Sequence, residues 1–521
     1  MEYISLKRLI FRSKEPIVRL TKYFPNSFRN AIAAARTCYS ASGIVDDGKI
    51  TEADYRIAET VYQAGHHTVY QHGYFQFALE NVSRQFIWSF LHSHPFYNSE
   101  QVSQRYVKIK KDGFLTPPLA SDALTIYERT IRQQTDCYRR LSDLLKPDVE
   151  RAYFDRFPAR QKNREAYGLD ITRKAREVAR YVMPVATFAY LYHTISGLTL
   201  MRYYRLCQQA DVPTEQRLVV GKMVDELRRI DPDYERILEE PIPQMQTPEY
   251  RFFQTLDQKN PLSLGFIREF DADLGDLSSK LVDWKIRQES VLASSIREVM
   301  GLPKSAISDH FAIELVMNPG KNPLFGESLN MTMHDKLTRT LNHVSYSFRR
   351  KLSHTADSQD QRHRTTPASR PILHRHISEG PDYITPPLIE QNPKALRLYQ
   401  ETMEKTWDSI NRLREMGTRE EFALYLLPNA VSVRYTQSAD LLSLRHKYAM
   451  RICYNAQEEI WRLSLEEIRQ IREINPLIGS YLIPPCGLRQ LSDIRPFCPE
   501  GERFCGERVW TYPLDRFRRF I

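Results

Sequence analysis

GHHTVYQHGYFQFALENVSRQFIWSFLHSHPFYNSEQVSQRYV, residues 65–107, is the stretch of this 521-residue chain whose reading decides the fold. Its middle, Tyr74 to Ser83, has the aromatic content and the alternation of a half-buried strand. Around that strand stand polar groups. His66, Thr68 and His72 precede it, Arg84 closes it, and His92-Ser93-His94 and Ser103-Gln104-Arg105-Tyr106 follow. Taken singly, each has an ordinary structural reading. Arg105 reads as a surface or ion-pair arginine, Ser103 as a helix or turn cap, and His66 and His72 as structural histidines. His92 and His94, like His374 and His376, form a His-x-His, a weak metal-like spacing with no third ligand apparent nearby.

Working outward, the chain repeats itself. NAIAAARTCYSASG (30–43) is echoed by QESVLASSIREVMG (288–301), with Arg36 opposite Arg297. Val82-Ser83 of ALENVSRQF is set against Val344-Ser345 of TLNHVSYSF. ARYVMPVATFAYLYHT, centred on Pro184, is set against LYLLPNAVSVRYTQS, centred on Pro428, and beyond each proline the register runs on without a gap, so that Glu215 falls opposite Glu459. Three landmarks in one order argue against chance. They divide the chain into a first half (1–245), a Pro-rich linker (246–269), a second half (270–485) and a tail (486–521). Three- and four-residue apolar spacing predicts amphipathic helices over 277–300, 196–228 and 438–474. With the strand at 74–83, the expected class is mixed α/β (α+β).

Composition narrows the function. Hydrophobic residues make up 42% and charged residues 26%, which is ordinary for a soluble globular protein. No apolar run approaches a membrane span, and the N-terminal stretch does not read as a signal peptide. Seven cysteines, odd in number, with Cys38, Cys137, Cys207 and Cys453 scattered, point to a reducing compartment, and hence to the cytoplasm. A net charge of +10 favours anionic partners: phosphates, nucleotides or, less favoured, nucleic acid. No Walker-type loop or Rossmann glycine pattern points to another nucleotide fold.

The motifs of 65–107 together resemble the flavin-dependent thymidylate synthases. That family's His-x-Ser/Thr-x-x-Glu-His segment is matched by His66, Thr68, Gln71 and His72, its Val-Ser-Arg by Arg84, and its Ser-x-Arg-Tyr by Ser103, Arg105 and Tyr106. Its Ala-Arg-x-Val-Leu-Pro is matched by Ala179-Arg180-Tyr181-Val182-Met183-Pro184. In the second half, Arg451 and the Ala456, Gln457, Glu459, Ile460 segment match a further arginine and helix of the family, where the first half has Cys207 instead of the arginine. The resemblance implies two tandem domains of this family and reductive C5 methylation of dUMP, or of another pyrimidine nucleotide. It implies FAD as cofactor, with NADPH and methylenetetrahydrofolate as co-substrates. No cysteine nucleophile is required.

By the same resemblance, Ser103 and Arg451 are the expected catalytic residues, and Arg84, Arg105, Arg180, Arg362 and Arg451 the expected substrate-binding ones. His66, Thr68, His72, His92, His94 and His354 are the expected flavin contacts. The family's flavin-holding Arg-His-Arg reads His92-Ser93-His94 in the first half. A literal Arg362-His363-Arg364 occurs in the second, but the repeat as aligned sets Arg362 against Arg105 and puts His354 where the first arginine belongs. The family assembles each site from several chains of a homotetramer, so a homodimer of tandem chains with one composite site, both halves contributing, is expected. A non-catalytic nucleotide- or nucleic-acid-binding protein is the alternative.

Two segments stand apart. SHTADSQDQRHRTTPASRPILHRH (353–376) is dense in His, Asp and Arg and is expected to bind. Cys486, Cys498 and Cys505 lie close together in the tail without a Cys-x-x-Cys pair. They read as buried free thiols, with zinc as the alternative if a fourth ligand exists.

Overall fold

The computed structural model describes residues 11–92, 94–103, 105, 112–209, 211–256 and 263–519. The elements used below are, in the first half, β1 (Ile17–Tyr23), α1 (Ser27–Thr37), β2 (Tyr74–Ser83), α2 (Arg84–His92), β3 (Asn98–Gln101), α3 (Ser121–Arg156), α4 (Arg164–Ala179), β4 (Phe188–Ser196), α5 (Gly197–Leu206) and α6 (Thr214–Ile230). In the second half they are β5 (Ser279–Trp284), α7 (Gln288–Met300), β6 (Ser345–Ser353), α8 (His354–Asp360), α9 (Pro393–Glu415), β7 (Ser432–Asp440), α10 (Leu441–Arg451) and α11 (Glu458–Ile474), followed by α12 (Pro485–Leu491) in the tail. The fold is mixed α and β, built as two tandem units of one plan.

Alternation sets the first sheet. In β2 the side chains of Phe75, Phe77 and Leu79 are fully buried, and the strand pairs antiparallel with β1 on one side and β4 on the other, giving the order β1-β2-β4-β3. The second sheet repeats this as β5-β6-β7, with Ser345 opposite Asp440 and Ser353 opposite Ser432. Each half keeps its own core, and a third cluster bridges them where α3 lies along α9, through Leu141, Leu145 and Val149 against Tyr399, Met403 and Trp407. From the tail, Leu488, Val509, Leu514 and Phe517 are buried in the second half's core.

The helices expected from apolar spacing are partly corrected. The span 277–300 is a strand, β5, and then a helix, α7. Only Ser279 of β5 is buried, so this edge strand shows little alternation for sequence to read. The span 196–228 is interrupted before Pro213, because proline fixes φ and favours a helix start there. The span 438–474 begins as the end of β7 and then forms α10 and α11.

The halves meet at the two proline landmarks, with a pseudo-twofold symmetry that repeats bond by bond. Pro184 bridges Pro428. The Val185 N–H donates to Leu427 O at 2.8 Å, and the Asn429 N–H to Met183 O at 2.7 Å. The Ala186 N–H donates to Tyr425 O at 3.1 Å, and the Ala430 N–H to Tyr181 O at 2.9 Å. The duplicated glutamates lock the same joint. Glu215 accepts from the Ser83 N–H at 2.7 Å and the Ser83 hydroxyl at 2.5 Å, then from the Tyr425 hydroxyl of the other half at 2.9 Å. Glu459 accepts from the Ser353 N–H and hydroxyl, both at 2.6 Å, and from the Tyr181 hydroxyl of the first half at 2.5 Å.

This arrangement corrects one landmark. The partner of Ser83 is Ser353 at the end of β6, not Ser345 at its start.

Burial pushes the Glu215 carboxyl up to about 7, against the pull of the Ser83 and Tyr425 bonds, and Glu459 is raised for the same reason. A carboxyl raised in the folded chain holds its proton there at pH values where the unfolded chain has lost it. Stability therefore falls as pH rises from about 4.5 towards 7, by about 3 kcal/mol for Glu215. Glu215→Gln keeps the acceptor for the Ser83 N–H and is expected to flatten that interval in a plot of melting temperature against pH.

A second expected effect sits at the start of α5. A Cβ on Gly197 would stand 2.4 Å from the buried Tyr234 ring. Gly197→Ala should therefore cost about 1–3 kcal/mol in denaturant unfolding.

Candidate active site

Helices α2 and α8 begin where their strands end, and the first turn of each is tied to the segment after the landmark proline of its own half. The Arg84 N–H donates to Thr187 O at 3.0 Å and the Gln85 N–H to Val185 O at 3.0 Å; in the other half His354 and Thr355 donate to Val431 and Asn429, at 2.9 Å each. Arg84 and His354 are thus counterparts. The two helices touch directly: Trp88 Nε1 donates to Asp357 Oδ2 at 2.7 Å, and its ring centre lies 5.1 Å from that of His354.

Equal counts from Ser83 and Ser353 reach His92 and Arg362. Arg362-His363-Arg364 therefore stands where the first half has His92-Ser93-His94, at the end of the helix. This corrects the setting of Arg362 against Arg105 and of His354 against the signature's first arginine. The cause was the match of Val344-Ser345, a dipeptide at the wrong end of β6. His354 is instead fully buried beside Trp88.

The structure brings the five expected arginines together. Arg84 is buried and donates to Gln101 Oε1 at 2.7 Å; burial, then the charges of Arg180 and Arg362, lower its pKa to about 9. Arg180, also buried, has an Nε without a hydrogen-bond partner among the described residues. Arg105 donates through Nε to Glu177 at 2.6 Å and through Nη2 to the carbonyl of Asn455, in the second half, at 2.9 Å. Arg451, at the end of α10, donates to Gln359 O at 3.0 Å and leaves its Nε unpartnered among the described residues. Burial, with Arg362 and Arg105 acting against the pull of Asp360, lowers its pKa to about 10. The exposed side of the group is Arg362.

The nearby carboxylates are already engaged. Burial opposes ionisation of Glu177, but Lys174, Arg105, Arg180 and Arg519 prevail and hold its carboxyl at about 2. Asp360 is held by Lys447 at 2.8 Å and Arg350 at 2.5 Å. Among the described residues no ion pair is formed by Arg84, Arg180, Arg362 or Arg451. A largely buried excess of positive charge is costly unless an anion joins it.

The symmetry-related place lacks four of these five arginines. There Arg84 is replaced by His354, Arg180 by Leu424, Arg362 by His92 and Arg451 by Cys207. Burial drives both histidines down to about 3 and Cys207 up to about 11, so none carries charge near neutrality.

The sequence pattern of the family described as thymidylate synthase complementing protein matches residues 19–233 and again 280–477. The chain belongs to this family. All five arginines fall inside the two matches. The flavin-dependent thymidylate synthase of Clostridium tetani is 28% identical over 223 residues, which is 42% of this chain and 84% of that protein. That of Sulfurisphaera tokodaii is 30% identical over 150 residues, 28% of this chain and 57% of its own length. Among solved structures, the UMP/dUMP methylase PolB from Streptomyces cacaoi bound with 5-Br dUMP covers 43% of this chain and 95% of its own at 18% identity, with a TM-score of 0.31.

Other expected residues of this family member fall elsewhere. Ser103 accepts from the Arg105 N–H at 3.2 Å, a turn contact beside the arginines. Ser93, Gln104 and Tyr106 lie outside the described residues. His94 accepts from the Phe96 N–H at 3.1 Å. His66, Thr68 and His72 are exposed, at the start of β2, a full strand of about 30 Å from Arg84. One chain does not gather them at the arginine cluster. Glu177, the Asn455 carbonyl and Arg519 are additions that no sequence motif flagged.

Proposed function

We propose that this chain is a flavin-dependent thymidylate synthase-type enzyme that methylates dUMP at C5, with one composite nucleotide site per chain. The observation that carries this reading is the gathering of five arginines from both halves around one place, in a chain of this family. Arg84, Arg105, Arg180 and Arg362 suit an anionic phosphate, which planar guanidinium forks bind in pairs. Arg451 suits the carbonyl edge of the pyrimidine, where it holds developing negative charge without losing its proton. Ser103 holds the turn that presents Arg105.

The residues present fit a flavin dinucleotide. The unpartnered Nε2 of His363, with Arg364 beside it just past the end of α8, would offer donors to a diphosphate. Bound there, FAD supplies the hydride that no side chain can donate. NADPH and methylenetetrahydrofolate complete the balance, giving dTMP, tetrahydrofolate and NADP+. The exposed His66, Thr68 and His72 serve only across to a second copy, so the working unit is a homodimer of tandem chains. The same reading takes 1–245 and 270–485 as the two units, joined by 246–269, with 486–521 as the tail. It places the enzyme in the cytoplasm; all seven cysteines are free.

The visible absorption of the purified protein with added FAD tests this. Bound flavin, bleached by NADPH and restored in the presence of dUMP and methylenetetrahydrofolate, is the expected result. Failure to bind FAD would overturn it.

A further inference from the structure

The tail cysteines acquire their missing partner in three dimensions. Cys453, two residues beyond Arg451, lines the same small cavity as Cys486, Cys498 and Cys505. None of the four is in a disulfide, and all are half-buried. They come from four separate places: the turn after α10, the first turn of α12, and two positions in the loop that follows it. The cavity measures about 20 Å³, which suits an ion and not an organic ligand.

We propose that Cys453, Cys486, Cys498 and Cys505 form a four-thiolate zinc site that ties the tail to the turn following Arg451. Four sulfurs in a tetrahedron are the preferred closed, structural shell of Zn2+. All four cysteines line one cavity, and no other cysteine of the chain does. Among the described residues no three candidate ligands already stand at metal spacing. Site formation therefore requires the thiols to turn into the cavity they line, and the Cys505 thiol to give up its 3.7 Å bond to Glu507 O. Each thiol releases its proton to solvent as its S–Zn bond forms, and no electron changes hands.

The tail is already fastened at this turn by other bonds. Asn455 Nδ2 donates to Arg503 O at 2.6 Å, and Arg519 donates to Ala456 O. The metal would close the same junction, so its role does not depend on the proposed activity. The spacing lacks a Cys-x-x-Cys knuckle, which is why sequence alone leaves the site incomplete.

Metal analysis of the full chain as purified, without added chelator, is the test. One zinc per chain is expected, with four thiols protected from a disulfide reagent until the metal is stripped. Exchange with Co2+ should give the intense sulfur-to-metal band and the visible bands of tetrahedral thiolate cobalt. Cys498→Ser should lose the metal, whereas Cys38→Ser, at an exposed site elsewhere, should keep it. Less than a tenth of a zinc per chain with freely reacting thiols, a Cys–Cys disulfide among the four, or iron in place of zinc would each overturn the proposal.

Discussion

Arg451→Ala is expected to lower kcat/KM for dUMP by about 100- to 1000-fold, the usual loss when a preorganised donor to a developing anion is removed. The same change should leave the melting temperature unchanged or raise it. Arg451 forms no ion pair among the described residues, and burial has already lowered its pKa to about 10, so the folded chain bears a desolvation cost with little return until an anion binds. Arg451→Lys keeps the charge but not the planar fork, and should recover only part of the loss. Cys207→Ala, the matching change at the pseudo-symmetric place, should leave turnover as it was. Activity of Arg451→Ala within threefold of the parent would remove this arginine from the site.

The second large effect is on stability. Glu459→Ala should cost about 3–5 kcal/mol in denaturant unfolding. The carboxylate accepts from the Ser353 N–H and hydroxyl and from the Tyr181 hydroxyl across the joint. Truncation leaves all three donors buried without it. Glu459→Gln can accept the Ser353 N–H and donate to a rotated hydroxyl, and should cost about 1 kcal/mol. Because Tyr181 and Ser353 belong to different halves, the alanine variant should also loosen Arg180, one residue before Tyr181. If the alanine and glutamine variants unfold at the same midpoint, the three-donor account is wrong.

The sequence showed the strand at 74–83 because one face of β2 is apolar and the other is not. It showed the duplication because prolines and glutamates sit at the joint, where backbone geometry tolerates few substitutes. It named all five arginines through motif resemblance, and the folded chain then gathered them from both halves. It missed the register of β6 for a physical reason. Ser353 is fixed by Glu459 and Tyr181, contacts distant in sequence, whereas Val344-Ser345 merely looks like Val82-Ser83. With the wrong serine paired, Arg362-His363-Arg364 fell out of step with His92-Ser93-His94. Cys453 escaped notice as a companion of the tail cysteines because only the packing of the tail against α10 and α11 brings them to one cavity.

Counting bound dUMP tests the central claim most directly. Calorimetric titration of the FAD-saturated protein should saturate at one nucleotide per 521-residue chain, and Arg362→Ala should weaken that single event while His92→Ala leaves it intact. Two equivalent sites per chain would mean that the pseudo-symmetric place beside His354, Leu424 and Cys207 also binds, and would contradict a single composite site.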